Sequence, residues 1–297
     1  MPSRRSFLVA GATSLAAVAG CTSRNTGPGA DSTRTTTSTR ARQTTTDEER
    51  TTVPFGDPVP SGAATITPVA ARHRHSAFYT YAFDAVAVTG FGGRQAVFVD
   101  LQIDGPRPAS PFSFVAGGER HAAWEDAYDD VRLSQLHHEP PDGAGPSSDW
   151  VGFDVPCPLD ASDPHLEYRD SGQVVARWSL PDDLVTALAE PAPDFEVTAF
   201  DVAETVPARQ PVEAHVAVRN RGPGDGTFRG AFGHGGPGMD TVSMTLAAGE
   251  TGERTVDVHL LRDVDEPTTV ELRLLTPDAS IARPVTGTPA TATTRSG

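Results

Sequence analysis

The 297-residue chain contains no lysine; all 24 of its basic side chains are arginine. A P-loop needs a lysine to reach the nucleotide phosphates, so phosphate-loop chemistry is excluded. Ser–Lys and Schiff-base mechanisms are excluded for the same reason. Cysteine is almost as scarce. Cys21 and Cys157 are the two, and if one of them is used elsewhere no disulfide can form within the chain, so the fold must be held by core burial. Neither Asn25 nor Asn220 stands in an Asn-x-Ser/Thr acceptor. There is no Gly-x-Ser-x-Gly elbow and no His-Glu-x-x-His helix. Long apolar runs are missing too: the stretch Phe7–Ala19 is broken by Gly11, Thr13 and Ser14, and spanning a bilayer needs about 20 apolar residues.

That short run is nevertheless informative. It follows Arg4 and Arg5 and ends in Ala17-Val18-Ala19-Gly20-Cys21. A charged front, a short apolar middle and a small-residue exit make a secretory signal over residues 1–20. The weakly apolar core behind paired arginines resembles a twin-arginine signal, which exports folded proteins. The small residues before Cys21 resemble a lipobox. That resemblance implies lipidation of the Cys21 thiol, a membrane partner, and a place at the cell surface on the outer face of the cytoplasmic membrane.

Formal charge is -15, and removing residues 1–20 takes away Arg4 and Arg5 but no acid, leaving -17. Such a surface repels a nucleic-acid backbone. Acid excess together with arginine-only basicity resembles the proteome of salt-loving archaea, where molar salt screens carboxylate repulsion. Residues 21–53 are dominated by Thr, Ser and Arg, without the large apolar residues a core needs. They are expected to form a disordered stalk, with Thr-rich composition suited to glycosylation.

Beyond the stalk, strand patterning dominates. In Arg94–Asp104, Val97, Val99, Leu101 and Ile103 fall on one face and Asp100, Gln102 and Asp104 on the other, which predicts a strand with one buried face. Further strands are expected near 64–70, 78–89, 110–116, 131–136 and 149–155. Leu166–Arg169 and Gln173–Ser179 flank the hairpin turn Asp170-Ser171-Gly172, and Pro181–Leu188 reads as one short helix. Glu190-Pro191-Ala192-Pro193 interrupts the pattern. Beyond it, alternation recurs at Phe195, Val197 and Ala199; at Val212–Val218; at Val242–Leu246; at Val256–Leu260; and at Val270–Leu274. The expected fold is all-β: two antiparallel immunoglobulin-like β-sandwiches, at 54–190 and 191–285, with a disordered tail at 286–297.

The strand AVFVDLQID, the hairpin FSFVAGGER, and DWVGFDVP followed by VVARWSLP resemble a telokin-like, immunoglobulin-related domain found in secreted lipoproteins. HVAVRNRGPGDGTF and LAAGETGERTVDVHL resemble the cell-adhesion-related domain of bacterial and archaeal surface proteins. Both resemblances imply binding or scaffolding at exposed turns such as 221–226 and 233–238, with envelope proteins or surface glycans as partners and no catalysis. Neither family pattern supplies catalytic residues.

Candidate ligands for a metal are sparse. His137-His138-Glu139 is the densest cluster, but neighbours on a strand face opposite ways. His73 and His75 have the spacing to share a face, in what reads as a solvated turn. Glu125, Asp126, Asp129 and Asp130, and Asp263, Asp265 and Glu266, match no calcium loop. Trp124, Tyr128, Trp150 and Trp178 read as buried sandwich anchors rather than a sugar platform, and Cys157 as a small buried thiol. The chain is therefore expected to need no cofactor or metal and to have a binding or structural role. The rivals are a solute-binding lipoprotein, which would need two α/β lobes, and a secreted hydrolase or metal-binding protein.

Overall fold

Short β-branched and aromatic runs punctuated by Gly and Pro form strands. The computed structural model describes residues 52–82, 85–107, 112–125, 127–128, 131–137, 149–159, 162–234, 238–259 and 264–289. The first half contains β1 (Val59–Ser61), β2 (Ala64–Arg74), β3 (Ser76–Ala82), β4 (Ala85–Gly90), β5 (Gln95–Asp104), β6 (Phe112–Ala116), β7 (Glu119–Ala122), β8 (Ala127–Tyr128), β9 (Val131–Arg132), β10 (Asp149–Val155), β11 (His165–Asp170) and β12 (Gln173–Ser179). Helix α1 (Asp182–Leu188) follows, with Asp182 and Asp183 in its first turn. One sheet has the order β1-β2-β5-β10 and the other β12-β11-β6-β7.

The core between these sheets holds Val97, Val99, Leu101, Phe114, Phe153, Leu166 and Trp178, closed at one end by Leu184 and Leu188 of α1. Trp178 is fully buried, and its indole N–H donates to the Asp57 carbonyl at 2.9 Å. Such a side chain can be buried because its one polar atom keeps a partner.

Strand β5 is buried on both faces from Gln95 to Leu101, not on one. Its second face carries Ala96 and Phe98, which pack with Ala77, Phe91, Val131 and Leu136 in a separate apolar cluster. The β3–β4 hairpin and Trp124, Tyr128, Val131, Leu133 and Leu136 supply that cover. The span 78–89, expected as one strand, is thus two, folded onto each other. The expected strand at 131–136 is only Val131–Arg132 followed by a single 3-10 turn at Leu133–Gln135. Trp124, Tyr128 and Trp150 join the same cluster. Trp124 and Tyr128 lie 4.9 Å apart between ring centroids, and Trp124 and Trp150 each lie 5.5 Å from Phe98.

On the outer face of the second sheet, the Glu167 carboxylate is covered by three arginines. Arg169 and Arg120 reach Oε1 at 2.7 and 2.8 Å, and Arg177 reaches Oε2 at 3.3 Å. Burial alone would raise this carboxyl's pKa, but the arginine hydrogen bonds and charges outweigh it and the pKa is lowered. A lowered carboxyl contributes stability that is present above its unfolded value, near 4.5, and lost as pH falls through the folded value. Glu167→Gln is expected to cost about 1–3 kcal/mol at neutral pH. Its acid-unfolding curve should be flatter than wild type below that point; an equally steep curve would show that Glu167 does not drive the transition.

The second half contains β13 (Phe195–Val202), β14 (Thr205–Pro207), β15 (Val212–Asn220), β16 (Gly226–Gly233), β17 (Thr241–Leu246), β18 (Thr251–Val258), β19 (Thr268–Leu275) and β20 (Ser280–Thr288). Its sheets are β13-β15-β18 and β14-β20-β19-β16-β17, around a core that includes Phe200, Val216, Phe232, Leu272 and Val285. A bulge between Val197 and Ala199 changes the register of β13, so Phe200 and not Ala199 enters the core. Residues 286–288, expected in the tail, belong to β20 and pair with β14 and β19. Both sandwiches lie in one compact unit spanning 46–297. Among the described residues no helix is long and apolar enough to cross a membrane.

Candidate functional site

The sequence-derived sites lie mostly outside the described residues: Arg4, Arg5 and Cys21, and also Asp126, Asp129, Asp130, His138, Glu139 and Asp263. Of the remaining candidates, His137 is tied into the fold, its Nε2 lying 2.8 Å from the Thr80 hydroxyl. Among the described residues no group of three His, Cys, Asp or Glu side chains is placed to hold a metal ion. Cys157 is half-buried rather than fully buried; its Sγ lies 3.7 Å from the Glu190 carbonyl, and burial pushes the thiol pKa up.

The turns expected to make contacts are partly engaged within the chain, with Arg221, Pro223 and Asp225 exposed. Gly222 and Gly224 of the first turn are buried against Pro191–Asp194. In the second, residues 235–237 lie outside the described set, and Gly238 pairs with Val86 of the β3–β4 hairpin, accepting its N–H at 2.6 Å.

Among the described residues that pairing joins the sandwiches, and two further contacts do the same. The Arg229 guanidinium, on β16, donates to the Ser76 carbonyl at 3.1 Å. Gly90 meets Pro277 so closely that an added Cβ would lie 2.9 Å from the proline ring. Between these contacts opens a cleft of about 320 Å³. From the first sandwich it takes His75, Ser76 and the turn Phe91-Gly92-Gly93-Arg94. Gly92 and Gly93 both have positive φ, 60° and 79°, which lets the chain reverse tightly there. From the second sandwich come Pro193, Asp194, Phe195, Val197, Phe228, Arg229, the turn Thr276–Ala279 and Ile281. An adjoining cavity of about 230 Å³ shares His75 and Arg229 and adds His73, Arg74, Glu190 and Asp225.

His73 lies in β2 and His75 just beyond its end, so the solvated turn expected there is a strand end at the sandwich junction. Their spacing does bring them together, with ring centroids 5.5 Å apart, edge to face. The His75 pKa is lowered to about 4, first by burial and then by the charges of His73 and Arg229, against a hydrogen bond to the Arg94 backbone that raises it. Burial and Arg74 lower His73 as well. The His75 Nδ1 is buried without a hydrogen-bond partner. Arg94 is held by Asp154, with Nε 2.7 Å from Oδ2 and Nη2 3.2 Å from the carbonyl. The result is a basic floor in an acidic protein, faced by an apolar wall.

The strand pairing defines the protein class as all-β, with immunoglobulin-like sandwiches. No family model matches the chain, and no curated protein matches it. Several solved structures are similar to part of this chain. A β-glucosidase from Listeria innocua in complex with isofagomine aligns with 34% of this chain at 14% identity and TM-score 0.29, and the chain spans 17% of that enzyme. An uncharacterized β-sandwich protein from Clostridium difficile 630 aligns with 45% of this chain and 97% of its own, at 11% identity and TM-score 0.28. The fibronectin(III)-like modules of Clostridium thermocellum CbhA align with 66% of this chain and 85% of theirs, at 10% identity and TM-score 0.21.

Proposed function

We propose that the protein is an exported lipoprotein of a salt-loving archaeon, held on the outer face of the cytoplasmic membrane by a lipid on Cys21. Its two sandwiches present a binding or scaffolding surface and carry no catalytic machinery. The observation that carries this reading is the run from Arg4-Arg5 to Ala17-Val18-Ala19-Gly20-Cys21. The telokin-like and adhesion-type resemblances and the all-β fold support the modular part. The acid excess supports a protein stable in molar salt.

Stable anchoring needs two acyl chains, since one is marginal. Cys21→Ser is therefore expected to move most of the protein from the membrane to the soluble fraction, or to leave it unprocessed. Replacing Arg4 and Arg5 by lysine should block export. Wild-type protein carrying no lipid by mass spectrometry would overturn the anchor, and unchanged export of the lysine variant would overturn the twin-arginine route.

The cleft favours a second reading, of a lipoprotein that captures a small solute outside the cell. Its walls come from two β-sandwiches instead of two α/β lobes.

A further inference from the structure

We propose that the cleft between the sandwiches binds a small organic carboxylate: one acid group on a compact apolar body. The cleft's volume, about 320 Å³, equals the liquid volume of about ten waters and stands at the lower end of ligand pockets, roughly 300–1,000 Å³. It therefore suits a molecule of this size.

The floor is suited to an acid group. Arg229 is 5% exposed, so its charge lies in a site of low dielectric. Arg94 keeps Nε and Nη2 on Asp154 and has Nη1 remaining for a carboxylate oxygen. His75 lines the same floor. Planar guanidinium groups match a carboxylate in shape as well as charge. Phe195, Val197, Pro277 and Ile281 supply the apolar wall.

The acids around the cleft limit the ligand's charge. Asp194 and Asp278 line it with exposed side chains, and Glu190 and Asp225 line the adjoining cavity beside Arg74 and His73. A phosphate ester with two charges would meet these carboxylates; a single carboxylate reaching the floor gains more from the arginines than it loses to solvated acids.

Occupancy has a proton signature. With its pKa lowered to about 4, His75 is neutral at pH 7. An arriving carboxylate favours the charged ring and raises that pKa, so binding takes up protons and tightens as pH falls from about 7 toward 5.

This inference rests on reading the chain as a binding module. Its test uses the purified full chain in solution, so its failure leaves the Cys21 anchor standing, and failure of the anchor leaves the cleft standing. Titration calorimetry at pH 6 and constant salt, with benzoate as probe, should give saturable binding. Benzamide, its uncharged counterpart, and inorganic phosphate should each bind at least about tenfold more weakly, a difference of about 1.4 kcal/mol. Benzoate heats should differ between buffers of different ionisation enthalpy, and His75→Asn should abolish that difference. Arg229 is buried and its variants risk misfolding. Two others avoid this: Ala279→Trp, which fills the cleft from an exposed turn, should abolish binding, and Arg94→Gln should weaken it about fivefold or more, roughly 1 kcal/mol. Equal binding of benzamide or phosphate, undiminished binding by the Ala279→Trp protein, or no saturable heat with benzoate would each overturn the proposal.

Discussion

Asn220→Ala is expected to lower the stability of the protein by about 3–5 kcal/mol, near the top of the range for single substitutions. Asn220 ends β15 fully buried, and its side chain makes four hydrogen bonds. Oδ1 accepts from the backbone N–H of Asp194 at 3.1 Å and of Gly222 at 3.0 Å. Nδ2 donates to the carbonyls of Gly224 at 2.8 Å and Leu246 at 3.2 Å. One side chain thus ties together the inter-sandwich linker, the turn 221–226 and the end of β17. Truncation leaves four backbone groups deprived of a partner, each costing about 1–3 kcal/mol if it stays buried and dry.

The packing leaves little room for relaxation. A Cβ at Gly224 would lie 1.7 Å from the Pro191 carbonyl oxygen, so the turn and the linker are already in close contact. Water can reach some of the freed groups, which keeps the expected total below the simple sum. Guanidinium unfolding of wild type and variant at one salt concentration measures the effect, and a loss under 1 kcal/mol would show that the turn closes without the side chain. Because Asp194 also lines the cleft, the variant should bind benzoate less well even where it remains folded.

The second large effect is expected at Asp100. Its carboxylate is buried on the outer face of β5, with Oδ2 2.9 Å from Nη2 of Arg72, and the two side chains are 2% and 14% exposed. Asp100→Ala removes the carboxylate from the mostly buried Arg72 guanidinium, at a cost of about 3–5 kcal/mol. Pairing Asp100→Leu with Arg72→Met should recover most of that loss, because an apolar pair of similar volume avoids the desolvation of both charges. The penalty in Asp100→Ala should change little between low and molar salt, since salt screens buried pairs far less than surface ones. A loss under 1 kcal/mol, or one that molar salt abolishes, would show that the pair behaves as a surface contact.

Where sequence reading succeeded, neighbouring residues carried the information. Val212, Ala214, Val216 and Val218 alternate and are fully buried. Asp170-Ser171-Gly172 turns because Ser171 and Gly172 take positive φ, 50° and 79°. Local composition also placed the helix within a residue of its observed start. It misjudged β5, since Asp100 and Gln102 suggested a solvated face: Gln102 is exposed, but Asp100 is buried and paired with Arg72 of β2. A buried carboxylate is indistinguishable from a solvated one until its arginine is located. The same limit hid the role of Asn220, whose partners at 194 and 246 lie 26 residues away on either side.

The candidate site was the least legible part. His73 and His75 stood out by spacing, but Arg229 lies 153 residues beyond Ser76 and carried no signal of its own in the chain. By itself the sequence determined the all-β class and regularly alternating strands such as β15, because backbone periodicity and turn preference act over a few residues. It also supplies the features of the N-terminal run on which export and anchoring are proposed. Only the tertiary structure decided which faces are covered twice, which charges are buried, and that His75, Arg94 and Arg229 meet in one cleft. Those outcomes depend on contacts between segments far apart in the chain, and the burial that shifts the His75 pKa and confines the Arg229 charge exists only once the two sandwiches have packed together.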